Sequence, residues 1–292
     1  MRRQWAWAAL VVSLCLATGA APAAEGEDTS TPQNTPLSTR ERLGACLYVQ
    51  TSAEYRACCL QVFHMAADRL GAILKYLEEK EKPAPRPLAV MMDLDETVLD
   101  NSAFESFLFE QDKHYTPELW ARYERDYPQA VRLVPGAKAF IEKVEALGVT
   151  VVYVSNRQEK FQASTVAALK RLEINTKGIE RRLFLKDDTS DKSARRQAVA
   201  KRYWVVLRLG DNLRDFSEVF AAPELDASAG EEAFDEAVRV RLNQVDTASE
   251  HWGRDWFVLP NPCYGEWEKL LGPDPVRRLY PSGIPAVDGE DR

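Results

Sequence analysis

The chain has 292 residues, 45% of them hydrophobic, which is enough for one full core with a small accessory lobe. Its net charge of -7 is spread along the sequence, so a nucleic-acid-binding surface is excluded as the natural reading. An acidic protein still binds an anionic phosphate where a metal ion and local cations reverse the field.

The first residues have the make-up of an export signal. Arg2 and Arg3 form a positive start, residues 8–17 an apolar run, and Ala21-Pro22-Ala23 a small-residue cleavage site. The run is too short for a comfortable membrane span, and no later stretch is expected to span a bilayer. Cys15 raises a lipid-anchored form, but the bulky Leu14 stands where a small residue is expected before it. The expectation is therefore cleavage after about Ala23, with residues 1–23 as signal peptide and a soluble periplasmic or secreted product. Residues 24–39 are polar, with Pro and Thr and no periodicity, and read as a flexible linker.

A folded domain is expected over residues 40–275. Thr51 and Glu54 have capping-box spacing, so one helix should end near Gln50 and another start at Ser52. The second carries Tyr55, Cys59, Val62, Ala66, Leu70, Ile73 and Leu77 as a core-facing stripe. Of the cysteines beyond Cys15, Cys46 could reach Cys58 or Cys59 only if the two helices fold back on each other. On one straight helix the two would stand roughly 18 Å apart. Cys46, Cys58, Cys59 and Cys263 read as small structural residues with at most one bridge; no Cys-x-x-Cys pair suggests a metal site.

Residues 87–92 are an apolar run opened by prolines, the pattern of a buried strand in a parallel sheet. It leads into Asp93-Leu94-Asp95. On a strand these two acids point to opposite faces, so the chain must leave the strand at Asp93 and loop back for them to converge. The bland reading is a turn with solvated acids. The sharper one is a Mg²⁺ site, because two close carboxylates need a proton or a cation between them.

Residues 101–132 carry Phe104, Phe107, Phe109, Tyr115, Trp120, Tyr123 and Tyr127. They read either as a helical excursion packed onto the body or as a cap over the acids offering rings for a flat ligand. A helix over 137–147, closed by Gly148, precedes the β-rich run 149–154, which ends in Ser155-Asn156-Arg157. A helix over 161–172, an apolar run at 183–185, a polar loop with Lys192 and a basic helix follow. The strand 204–209 ends in Gly210-Asp211-Asn212-Leu213-Arg214-Asp215. Residues 222–250 read as a surface helical insertion, 256–259 as a last strand and 276–292 as a tail. Strands alternating with helices indicate a doubly wound, Rossmann-like α/β fold.

Ser155 alone could cap a helix, Lys192 and Arg195 could be a solvated basic face, and Asp211 could cap a turn. Together, at the carboxyl ends of strands in one sheet, these groups match what phosphoryl transfer through an aspartyl-phosphate requires. Asp93-Leu94-Asp95-Glu96-Thr97, Ser155-Asn156-Arg157, Lys192 and the Gly210–Asp215 segment resemble the four motifs of haloacid dehalogenase superfamily phosphatases. More narrowly, residues 43–270 resemble the class C acid phosphatases, the bacterial lipoprotein-type 5′-nucleotidases. That likeness rests on Asp-Glu-Thr-Val-Leu-Asp-Asn, Gly-Asp-Asn-Leu-x-Asp-Phe, the segment from Leu259 to Glu268 and the early run from Val49 to Tyr55.

The resemblance implies a parallel sheet with a small helical cap, and phosphomonoester hydrolysis with Mg²⁺. It makes Asp93 the nucleophile and Asp95 the acid/base. Asp93, Asp211 and the backbone carbonyl of Asp95 would bind the metal, with Asp215 supporting the site. Ser155 and Lys192 would hold the phosphate, Lys186 being the alternative lysine. Tyr264 would stack on a nucleobase, with Phe104 or Trp120 as the opposing ring. The substrate is then a nucleoside monophosphate, and a homodimer is one assembly open to the chain. A broad phosphomonoesterase without base recognition and a non-catalytic binding or storage protein are the competing readings.

Overall fold

The computed structural model describes residues 42–81, 83–225, 228–279 and 281. The expected signal peptide, Cys15, the linker and most of the tail lie outside the described residues. Two helices, α1 (Leu43–Thr51) and α2 (Ala53–Glu79), lead to the first strand, β1 (Leu88–Met92). Then come β2 (Leu99–Asp100), α3 (Ser102–Glu110), α4 (Pro117–Asp126), β3 (Arg132–Leu133), α5 (Ala137–Ala146) and β4 (Thr150–Gln158). The chain continues through α6 (Gln162–Arg171), β5 (Leu183–Lys186), α7 (Ser193–Arg202), β6 (Trp204–Gly210), α8 (Glu231–Thr247) and β7 (Trp256–Val258).

Five strands pair in parallel in the order β5-β4-β1-β6-β7, which places β1 at the centre with β4 and β6 on its two sides. Alternate residues of the strands face two separate cores. Val90, Met92, Val151, Tyr153, Leu207 and Leu209 pack with α2 and α5; Ala89, Met91, Val152 and Val154 pack with Val199 of α7. Both faces are covered, which is why these strands read as unbroken apolar runs. The fold is doubly wound α/β, and β2 pairs antiparallel with β3 at the stem of a helical cap made of α3 and α4.

Four expectations need correction. Ser52, not Thr51, caps α2: its hydroxyl accepts from the Tyr55 amide, while the Thr51 hydroxyl turns back to the Leu47 carbonyl. The second helix is also long and apolar enough by composition to reach the threshold of a membrane span, against the expectation that no later stretch would. It is instead a helix of the core, with Tyr55, Cys59, Phe63, Ala66 and Leu70 buried. The strand after Gly148 runs on to Gln158, carrying Ser155 and Arg157 within its last turns of pleat. Finally, the chain after residue 275 is not a free tail at its start, since Arg278 pairs with Glu231 and Asp235 of α8. The four described cysteines are free thiols; Cys58 is exposed, whereas Cys59 and Cys263 are buried.

Candidate active site

The three central strands deliver their ends to one place. Met92 is in register with Tyr153 of β4 and Leu209 of β6, so Asp93, Ser155 and Asp211 leave neighbouring strands within one or two residues of the same level. The Asp93 amide is still tied to the Leu209 carbonyl at 3.0 Å. The chain then turns sharply. The Leu94 carbonyl accepts from the amides of Val98 and Leu99, both at 2.8 Å, and Glu96 takes a left-handed φ of 53°. This is the reversal that two acids separated by one residue require to act in one site.

One oxygen from each of Asp93, Asp211 and Asp215 lies within 4.8 Å of the others. Lys192 stands between them, its Nζ 2.9 Å from Asp93 Oδ1 and 2.6 Å from Asp215 Oδ1. It is 3% exposed, and the two carboxylates hold it in the charged form well above the ordinary lysine range, against the cost of burial. Burial, opposed by Lys192 and reinforced by Asp215 and Asp95, lifts Asp93 to about 7. Burial and the charges of Asp215 and Asp93 likewise raise Asp211 well above the usual carboxylate range. Three crowded carboxylates with one ammonium are an unbalanced charge set, and their donors are all hard oxygens. The residues therefore fit a divalent cation such as Mg²⁺.

Asp211 and Asp215 are fixed by neighbours that sequence reasoning did not assign. Thr97 Oγ1 donates to Asp211 Oδ1 (3.2 Å) and Asn261 Nδ2 to Asp211 Oδ2 (2.9 Å). The Asn212 amide donates to Asp215 Oδ2, and the Asn212 side chain accepts in return from the Arg214 amide, a capping box for the turn that holds Asp215. Gly210 is required here: a Cβ on it would fall 2.3 Å from Asp215 Oδ2.

Asp95 sits apart from the three-acid cluster's hydrogen bonds, its Oδ1 accepting from Arg157 Nε and Asn101 Nδ2, each at 2.8 Å. Ser155 is fully buried; its Oγ accepts from the Arg157 amide at 3.2 Å, and its carbonyl accepts from Arg195. Lys186, the alternative phosphate lysine, ends β5 and interacts with Glu124, whereas Lys192 is the one between the acids. Asn261 also accepts from the amides of Cys263 (3.0 Å) and Tyr264 (3.4 Å), so one side chain links the acid cluster to the loop carrying Tyr264.

Phe104 is corrected. It is 2% exposed, with the rings of Phe107, Tyr115, Trp120 and Tyr123 around it at 5.1–6.4 Å between centroids, and it belongs to the main core. A ring enclosed on this many sides packs the cap onto the body instead of presenting a face to a ligand. Trp120 is half-buried edge-on against Phe104. The spacing of aromatics could not separate these roles. Asn101 and Asn261 did lie inside quoted motifs; Glu124, 1% exposed on α4, had no signal at all.

Comparison with known proteins agrees with this geometry. Residues 18–267 match HAD superfamily, subfamily IIIB (acid phosphatase). The structure is similar to that of the class C acid phosphatase from Bacillus anthracis, with 29% sequence identity, a TM-score of 0.66, and coverage of 80% of this chain and 89% of that one. The same values hold for the Bacillus anthracis class C acid phosphatase with tungstate bound. The chain belongs to the acid phosphatases of HAD subfamily IIIB and is a phosphoric monoester hydrolase.

Proposed function

We propose that the protein is an exported, Mg²⁺-dependent acid phosphatase that hydrolyses nucleoside monophosphates through an aspartyl-phosphate. The observation that carries the reading is Lys192 bridging Asp93 and Asp215 beside Asp211. In the first step an Asp93 oxygen forms a bond to phosphorus while the bond to the leaving oxygen breaks. The electron pair of that bond stays on the leaving oxygen, which takes a proton from Asp95. In the second step water attacks phosphorus, gives a proton to Asp95, and the Asp93–phosphorus bond breaks. Lys192 and Ser155 hold the equatorial phosphate oxygens, with Arg195 supporting the Ser155 backbone. Asp93, Asp211 and the Asp95 carbonyl, with Asp215 in support, would hold Mg²⁺, which would supply charge neutralisation and orientation of the phosphate.

Phosphate-monoester hydrolysis needs gains up to about 10²¹-fold, and a general acid contributes about 10²–10⁴-fold. Charge stabilisation and the covalent nucleophile must supply the rest. Tyr264 is the base-stacking ring, held near the acids through Asn261; Trp120 remains the opposing candidate. Burial of Phe104 gives weight to the second reading, a broad phosphomonoesterase whose aromatics only pack.

Arg2-Arg3, the apolar run and Ala21-Pro22-Ala23 are the features that support export. Asp93→Asn and Asp211→Asn are expected to abolish release of phosphate from a model ester, and EDTA to abolish it reversibly with Mg²⁺. Near-normal turnover in either variant, or in EDTA, refutes the corresponding assignment. Tyr264→Ala should lose activity on AMP more than on glycerol phosphate; an equal loss on both leaves the broad reading standing.

A further inference from the structure

Asp95 is held by a closed ring of side chains that the reaction as described leaves unused. Arg157 Nε and Asn101 Nδ2 both donate to Asp95 Oδ1 at 2.8 Å, and Arg157 Nη2 donates to Asn101 Oδ1 at 2.9 Å. Arg157 and Asn101 are each 1% exposed, whereas the Asp95 side chain is 15% exposed. The cap closes the ring from outside. Tyr123 of α4 donates its hydroxyl to Asn101 Oδ1 at 3.3 Å. Its neighbour Glu124 accepts from the Gln158 amide at 2.6 Å, next in chain to Arg157, and its charge acts on the guanidinium.

A buried ion pair of this kind is weak evidence of stability, since apolar side chains of the same volume do as well. Its geometry is more informative. Two donors converge on one oxygen, and a donor pair there leaves no room for a proton on Oδ1. An acid/base at this position then carries its proton on Oδ2.

We propose that Arg157 and Asn101 are positioning residues that hold Asp95 so that Oδ2 alone gives and receives the proton, and that α4 of the cap braces them in that pose. This rests on the reading that Asp95 protonates the leaving oxygen. When the phosphorus–oxygen bond breaks, its electron pair stays on the leaving oxygen, the Oδ2 proton moves to that oxygen, and the new carboxylate charge faces Arg157. Water returns a proton to Oδ2 as the second bond breaks. Lysine cannot replace arginine in this role, because a single ammonium cannot bond Asp95 and Asn101 in one plane.

The test compares two esters on the same preparation: p-nitrophenyl phosphate, whose leaving group needs little protonation, and glycerol 2-phosphate, whose leaving group needs it. The ratio of kcat/KM for the two divides out any fraction of protein that fails to fold. Arg157→Lys and Asn101→Ala are each expected to raise that ratio tenfold or more, with the loss on glycerol 2-phosphate falling on kcat. Asp95→Asn is the reference and should raise it at least as far. If Asp95→Asn raises the ratio while both other variants leave it flat, the positioning role is overturned and the proton donor stands. A flat ratio in Asp95→Asn overturns the proton donor and the positioning role together. Should Arg157→Lys fail to yield folded protein, Asn101→Ala decides between these outcomes.

Discussion

Lys192→Met replaces the one ammonium between the acids by an apolar chain of similar length. At 2.6 and 2.9 Å, each carboxylate attracts the ammonium with a gross energy of roughly 6 kcal/mol at an effective dielectric of about 20. Most of that offsets the cost of burying the ions. What remains visible is the penalty of leaving Asp93 and Asp215 without a partner, about 3–5 kcal/mol for a broken buried pair. Uptake of a proton by Asp93, already raised to about 7, relieves part of it. For a domain of this size the loss should lower the melting temperature by about 6–20 °C in EDTA. Addition of Mg²⁺ should then raise it more in the variant than in the wild type, because the cation no longer shares Asp93 and Asp215 with an ammonium. Saturation at about 100 times the dissociation constant contributes about 2.7 kcal/mol. The measurement is thermal unfolding at neutral pH, with EDTA and across a Mg²⁺ titration, alongside phosphate release. A melting temperature in EDTA within about 2 °C of wild type, less than about 1 kcal/mol moves it, would refute the placement of Lys192 as the balancing charge. So would an equal Mg²⁺ shift in the two proteins.

Two further predictions concern Gly210, behind Asp215, and the buried carboxyl of Glu268. Gly210→Ala places a Cβ 2.3 Å from Asp215 Oδ2 and 2.5 Å from Asp215 Cβ, so Asp215 must move. Overpacking of this kind costs about 1–3 kcal/mol, and phosphate release should fall tenfold or more, which denaturant titration and a steady-state assay would show. Glu268 is 5% exposed; burial lifts its carboxyl to about 7, opposed by Arg42 at 3.0 Å and reinforced by Glu105. Its folded-state value exceeds its unfolded one, so the native state holds the extra proton between about pH 4.5 and 7, and stability from this group falls as pH rises through that window. The effect reaches at most about 3 kcal/mol. Glu268→Gln should flatten the fall in unfolding free energy between pH 5 and 7.5; an unchanged slope would count against it.

What could be read without coordinates was whatever depends on local periodicity. The β-branched run 149–154 and the apolar run 87–92 became adjacent parallel strands because burial on both faces demands apolar residues at every position. The acids at Asp93, Asp211 and Asp215 were legible because parallel strands present their carboxyl ends on one rim. Lys192 was also preferred to Lys186 from the sequence, by the resemblance and its Lys-x-x-Arg spacing to Arg195, and the packing of α7 against β4 and β6 is what brings it between the carboxylates. Phe104 looked like a ligand ring, yet its place on the inner side of α3 makes it core. Arg157 was visible inside a motif, but a guanidinium at a strand end reaches several partners, and a contact 62 residues away with Asp95 is decided by the turn at Glu96. Glu124 carried no sequence signal, because a buried acid on a polar-looking helix is indistinguishable from a solvated one until its neighbours are known. Local pattern thus determined the strands, the rim and the acids at it. Tertiary structure alone decided which side chains meet there, because those meetings depend on the three-dimensional path of turns and loops, which spacing in the chain does not encode.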